Sequence, residues 1–321
     1  MHRIVEKYKN YICDIGFRQF QNEVSHDVYE TLGIGFASGD NEVVLVTKLV
    51  EIINDREYDG IKFFSNKIHG ARSYVEFYHR DKPITKELAD MVVITLAVSK
   101  HQRVFQKICF IQNKVAQNGK CKIDEEQLFL LKNFPPFSGD KGVFRYFGHK
   151  KVIFINNSQC LGSYGFFINP GEFRFISAPL LNEFNQSSQI SLADVMLPEA
   201  VCNSSNFIFG NPRAWDVGNF TSNPFWLNRT IPFLENSIYS NDVYDFIRNW
   251  IQFNIGEPTY VFGNVVNPIL DEFAISLLRQ IGIDLHIEEP IDDRNIGKLN
   301  TNMAIFVMVL DIDDSNNKIK A

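Results

Sequence analysis

Ile108-Cys109-Phe110-Ile111-Gln112-Asn113-Lys114-Val115-Ala116 places a glutamine and a lysine two residues apart in an apolar run otherwise suited to a buried strand. Side chains at i and i+2 of a strand share a face, so Gln112 and Lys114 point the same way. An ammonium held there without a compensating charge or hydrogen bond is costly. A carboxylate is therefore expected nearby, and Glu87-Leu88-Ala89-Asp90-Met91-Val92-Val93-Ile94 supplies one, with Asp90 just ahead of a β-branched run. Strands over 90–98 and 104–116 are joined by the short basic loop around Lys100-His101-Gln102-Arg103, which predicts antiparallel neighbours.

Outward from this pair, Asp124 reads as the N-cap of a helix over 124–133 that stops before Pro135-Pro136. Upstream, Glu42-Val43-Val44-Leu45-Val46-Thr47-Lys48-Leu49-Val50-Glu51-Ile52-Ile53 has apolar residues around most of a cylinder, predicting a largely buried helix. Ser73 to Tyr78 reads as a strand, with Tyr74, Glu76 and Tyr78 on one face. Further strands are expected at 152–155, 165–168 and 173–176, helices at 242–253 and 267–281, and a buried strand at 303–310. The opening segment, through about residue 30, reads as one or two helices interrupted near Asp14 to Gly16. Gly33-Ile34-Gly35 lacks the third glycine of a dinucleotide loop and reads as part of a turn-rich break reaching Asp40.

An acid ahead of one strand followed by Gln-x-Lys on the next resembles the PD-(D/E)xK nuclease superfamily in its QxK variant, carried here by Asp90 and Gln112-Asn113-Lys114. The resemblance spans roughly residues 40 to 180 and departs from the commoner pattern at Gln112, where most relatives have Asp or Glu. It implies an α/β fold with a restriction-endonuclease-like core, a mixed central sheet flanked by helices. It implies a Mg²⁺ site, also open to Mn²⁺, with Asp90 as main ligand, Gln112 giving a side-chain oxygen and Asn113 its main-chain carbonyl. Lys114 would face the attacked phosphate. A helix before the first core strand often adds an acid in such relatives; Glu42 is a candidate, although a first-turn glutamate favoured by the helix dipole is the simpler explanation. Glu76 and Glu87 are the nearest further acids, and the sequence does not choose between them.

The expected organisation is a nuclease-like domain with N-terminal helices over 1–185, then a mixed α/β extension over 186–321 for regulation, substrate recognition or partner binding. The expected activity is metal-dependent endonucleolytic hydrolysis of nucleic acid, DNA ahead of RNA, similar to restriction enzymes and to effector nucleases of prokaryotic defence. The alternative is a catalytically inactive subunit of the same fold that binds nucleic acid or a protein partner. A homodimer or a defence-system partner protein would fit either reading.

Composition fits this picture. With 321 residues, 45% of them hydrophobic, the chain can bury a large core. Its five cysteines are widely spaced without a CxxC pair, which speaks against a zinc cluster or a disulfide framework. HExxH, Walker A and GxSxG motifs are missing. Neither a secretory leader nor an apolar run long enough for a spanning helix is read, so a cytoplasmic protein away from membranes is expected. The net charge of −6 argues against non-specific coating of nucleic acid, yet residues 62–122 carry 12 Lys and Arg against 4 Asp and Glu. Lys62, Lys67, Arg72, Arg80, Lys82, Lys86, Lys100, Arg103 and Lys107 are thus candidates for a phosphate-attracting rim, with Arg72, Arg80, Lys82, Lys100 and Arg103 the expected nucleic-acid contacts.

Overall fold

A computed structural model describes residues 8, 13–67, 74–100, 102–116, 120–139, 151–156, 159–184, 189–191, 239–283 and 303–313. In chain order its elements are α1 (Ile15–Ala37), α2 (Glu42–Ile53), β1 (Glu57–Tyr58), β2 (Ile61–Lys67), β3 (Tyr74–His79), β4 (Lys82–Glu87), β5 (Met91–Ser99) and β6 (Gln102–Val115). There follow β7 (Lys120–Lys122), α3 (Glu125–Asn133), β8 (Phe137–Ser138), β9 (Gly162–Phe167), β10 (Phe173–Ser177), α4 (Ala178–Phe184) and β11 (Gln189–Ser191). The last are β12 (Tyr239–Ser240), α5 (Val243–Ile251), β13 (Glu257–Val261), β14 (Asn264–Val265), α6 (Pro268–Gln280) and β15 (Ala304–Asp311).

The architecture is α/β, with a mixed central sheet flanked by helices. The sheet runs β1-β2-β15-β5-β6-β9-β10-β12, and β13 joins it on β6. At its centre β5 and β6 are antiparallel, β15 lies parallel to β5, and β9 lies parallel to β6. Met91 to Val98 are buried without interruption, as expected of a strand covered on both faces. One face packs Val92, Ile94, Phe110 and Tyr164 against Leu128 and Leu131 of α3 and Phe273 of α6. The opposite face packs Val93, Cys109 and Phe306 against Val28 of α1, Leu49 of α2 and Trp250 of α5. A second, three-stranded sheet, β4-β3-β8, contributes Val75 and Phe77 to the first of these cores.

The chain departs from the expected division into 1–185 and 186–321. Residues after 186 supply β12, β13, β14 and β15 to the same sheet and a helix to each of its faces. Ala304 to Val307 are buried throughout, and only a position inside the sheet, between β2 and β5, covers both sides of so apolar a strand.

Local expectations fared unevenly. Asp124 caps α3, accepting from the Gln127 backbone N–H at 2.9 Å. Asp14 caps α1, which matches the interruption expected there. The helix over 42–53 forms, but Val43 and Val44 are exposed. Gly33 and Gly35 lie within α1 rather than in a turn. A Cβ on Gly35 would stand 2.7 Å from Leu45 Cδ2, so this glycine lets α1 approach α2 closely. At 152–155, Val152 makes an isolated bridge to Phe137 and no strand forms. Among the described residues, no helix is long and apolar enough to cross a membrane.

Candidate functional site

The antiparallel register Met91↔Ile111 sets Asp90 beside Gln112 at the mouth of the β5–β6 hairpin. Asp90 Oδ2 accepts the Asn113 backbone N–H at 2.7 Å and makes a short contact with Gln112 Nε2. Oδ1 accepts no hydrogen bond from the described residues. At the other end of the amide, Gln112 Oε1 is buried and has no partner among them. A buried amide oxygen left unpaired costs about 1–3 kcal/mol, so this is an atom in want of a donor or a cation.

Lys114 follows two residues along β6, on the Gln112 face by strand period, and is partly exposed. Its Nζ makes no hydrogen bond or ion pair with the described residues, yet its charge reaches Asp90. Burial dominates at Asp90 and pushes its carboxyl up to about 6. The Asn113 N–H and Lys114 oppose that rise, while the Glu87 charge adds to it. A site holding a carboxylate under this penalty suits a cation, which would offset it.

The raised value has a consequence for stability. A carboxyl whose folded pKa lies above its ordinary 3.8 favours folding while protonated; that contribution is complete below pH 3.8 and is lost as pH rises through about 6. At ~1.36 kcal/mol per unit, the loss amounts to at most about 3 kcal/mol. In a chelator, urea unfolding of the wild type should therefore lose stability between pH 4 and pH 7.5 relative to Asp90→Asn. Parallel pH dependences of the two proteins would contradict this.

Two further residues border these groups: Glu42, expected as a further acid, and Tyr164, which was not expected. Glu42 Oε1 accepts the Val115 backbone N–H at 3.3 Å, so the first residue of α2 reaches the end of β6 beside Lys114. Tyr164 pairs with Gln112 across the parallel β6–β9 ladder and is fully buried, and its hydroxyl has no hydrogen-bond partner among the described residues. Burial, then the charges of Asp124 and Asp90, hold that hydroxyl well above its ordinary pKa, so it remains protonated. Nothing in the local sequence around Tyr164 marks it; only the third strand's register does.

Other expected residues lie elsewhere. Glu76 is exposed on β3, which pairs with β4 and β8 and not with β5, so it faces solvent on the small sheet. Glu87 ends β4 near enough to Asp90 to act on its charge. Several of the expected rim cations are engaged within the protein. Arg103 makes a two-pronged ion pair with Asp271 at 2.6 and 2.9 Å, inside the protein rather than on a nucleic-acid surface. Lys107 is buried with its Nζ on the Phe253 carbonyl, Lys86 bridges Asp124 and Glu126, and Arg80 meets Glu125. Lys67 donates to Thr47, and Lys62 lies 4.0 Å from Glu57. Lys82 and Lys100 are exposed. Arg72 falls outside the described residues. Of these cations, Arg103 and Lys107 are thus held inside the protein, whereas Lys62 and Arg80 stay largely exposed in their surface pairs.

Among the described residues, no three or more His, Cys, Asp and Glu side chains group as a metal site. The Asp90 cluster differs in kind, since one carboxylate and one amide form its core. No family model, curated protein or solved structure matches the chain.

Proposed function

We propose that this chain is a metal-dependent endonuclease acting on nucleic acid, with a restriction-endonuclease-like arrangement of the β5–β6 hairpin, α3 and β9. The observation that carries the reading is that, among the described residues, an Asp90 Oδ1 that accepts no hydrogen bond, an unpartnered Gln112 Oε1 and an unpaired Lys114 amine stand at one end of two adjacent strands. A half-turn of the Gln112 amide exchanges Nε2 for Oε1 beside Asp90, giving the two hard oxygens that magnesium or manganese prefers. The Asn113 main-chain carbonyl is a third candidate donor. Such an ion supplies Lewis-acid stabilisation of charge on the phosphoryl oxygens and eases deprotonation of the attacking water.

The protein's own groups account for the rest. Asp90 is fixed by the Asn113 N–H, so its free oxygen has one direction. Lys114 lies within electrostatic reach of that carboxylate and offers a cation to a scissile phosphate. Glu87 adds negative charge at Asp90, and Glu42 lies farther along β6, on the Val115 N–H. DNA is the favoured substrate, an effector role in prokaryotic defence is the matching context, and a cytoplasmic location follows from it.

The Gln112 Nε2 contact with Asp90 favours a second reading, in which the pair is a closed polar link in a non-catalytic binding subunit. Lys114→Ala separates the two. Assayed on plasmid, linear DNA and RNA with Mg²⁺ or Mn²⁺, it should lose at least about a hundredfold in cleavage, the usual worth of a preorganised charge, with its melting temperature unchanged. A wild type that cuts none of these substrates with either ion would favour the binding subunit.

A further inference from the structure

The Tyr164 hydroxyl is buried and unpartnered among the described residues. The residue is fully buried on the same sheet face as Phe110, Phe134, Phe154 and Phe166, all of which fill this core without a polar atom. Its ring stacks on Phe166 with centroids 6.0 Å apart, and phenylalanine would keep that contact. Buried tyrosines normally find a partner for the hydroxyl, and an unpaired one is a net cost. The register offers a reason to keep it. Asp90, one residue ahead of β5, Gln112 on β6 and Tyr164 on β9 stand at one level, so Gln112 lies between the residues that carry a carboxylate and a hydroxyl. Its amide now turns the nitrogen to Asp90 and leaves the oxygen unpartnered.

We propose that Tyr164 is a positioning residue that serves both orientations of the Gln112 amide. With no ion bound, Gln112 Nε2 donates to Asp90 and the Tyr164 hydroxyl, which makes no direct bond to Oε1, is available to it through one water. When a divalent ion binds at Asp90, the amide turns so that Oε1 faces the ion, and Nε2 then donates to the Tyr164 oxygen. A hydroxyl can do both because it is donor and acceptor at once. Phenylalanine could do neither, and in the ion-bound state it would leave a buried amide N–H unpaired. The role depends on the metal site proposed above and extends it to the group that sets the amide.

The test is Mn²⁺ binding to the full chain by calorimetry, with thermal unfolding in chelator alongside. Tyr164→Phe should unfold at nearly the same temperature without metal, since only a water-mediated contact is lost there, yet bind Mn²⁺ roughly 5- to 150-fold more weakly, the factor expected for one unpaired buried amide. In a Gln112→Leu background the same substitution should leave Mn²⁺ affinity unchanged, because there is no amide to position. Equal Mn²⁺ affinity of wild type and Tyr164→Phe overturns the assignment of Tyr164 while leaving the site intact. An equal loss in both backgrounds also overturns it, since that is the mark of a packing defect. No Mn²⁺ binding by the wild type overturns the metal site itself.

Discussion

Asp90→Asn is expected to lower metal-dependent cleavage by at least about a thousandfold while leaving the fold intact. A bound cation contributes several kcal/mol to stabilising phosphoryl-transfer charge, and each 1.36 kcal/mol is about tenfold in rate. Asparagine keeps the size of the side chain and an oxygen for the Asn113 N–H, but it removes the charge that holds the ion. The same substitution removes a carboxylate that burial penalises, so in chelator near neutral pH the variant should be at least as stable as the wild type. Activity and stability thus move in opposite directions, the signature of a residue kept for chemistry rather than for folding. Cleavage of plasmid DNA and chemical denaturation, run on the same preparations, check both halves. A variant that retains cleavage removes Asp90 from the site, and one that unfolds readily marks it as a structural anchor.

Asp271→Ala is expected to cost about 3–5 kcal/mol, a large share of the 5–15 kcal/mol that a typical domain has in hand. The side chains of Arg103 and Asp271 are only 9% and 5% exposed, and removal of the acid leaves a guanidinium with nowhere to hydrate. Gln106 ties the pair to Thr259, and the Tyr260 ring lies 3.9 Å from the guanidinium carbon, so the loss spreads into β13 and α6. Burial raises the Asp271 pKa and Arg103 opposes the rise, which is how a buried ion pair behaves when desolvation is only partly offset. An apolar replacement of both partners, Arg103→Met with Asp271→Leu, should recover most of the loss. Urea midpoints measure the effect; a cost below about 1 kcal/mol for Asp271→Ala would mean that the pair is hydrated and that Arg103 is available at the surface after all.

The meeting of Asp90 with Gln112 in the candidate site was legible because its geometry is local. A short loop between two apolar runs dictates antiparallel pairing, and strand parity then places Asp90 and Gln112 side by side. The cap at Asp124 was legible for the same reason, since an N-cap needs only the next three residues. What the sequence concealed was non-local. β15 slips between β2 and β5 across more than 200 residues of chain, and an apolar run carries no mark of which neighbour it will choose. Arg103 looked like a surface cation because its partner lies 168 residues away. Glu42 looked like a helix-start acid, and it is one, but the path of α2 over the end of β6 also brings it to the Val115 N–H. Tyr164 had no signal of its own and emerges only once β9 is laid parallel to β6.

The most direct measurement of the central claim is a crystal structure of the full chain soaked in Mn²⁺, read by anomalous scattering. The account predicts one anomalous peak at the mouth of the β5–β6 hairpin, bonded to Asp90 Oδ1 and to the Gln112 side-chain oxygen, with Lys114 Nζ facing the same space. An ion bound elsewhere, or no ion while Gln112 Nε2 still rests on Asp90, would contradict it.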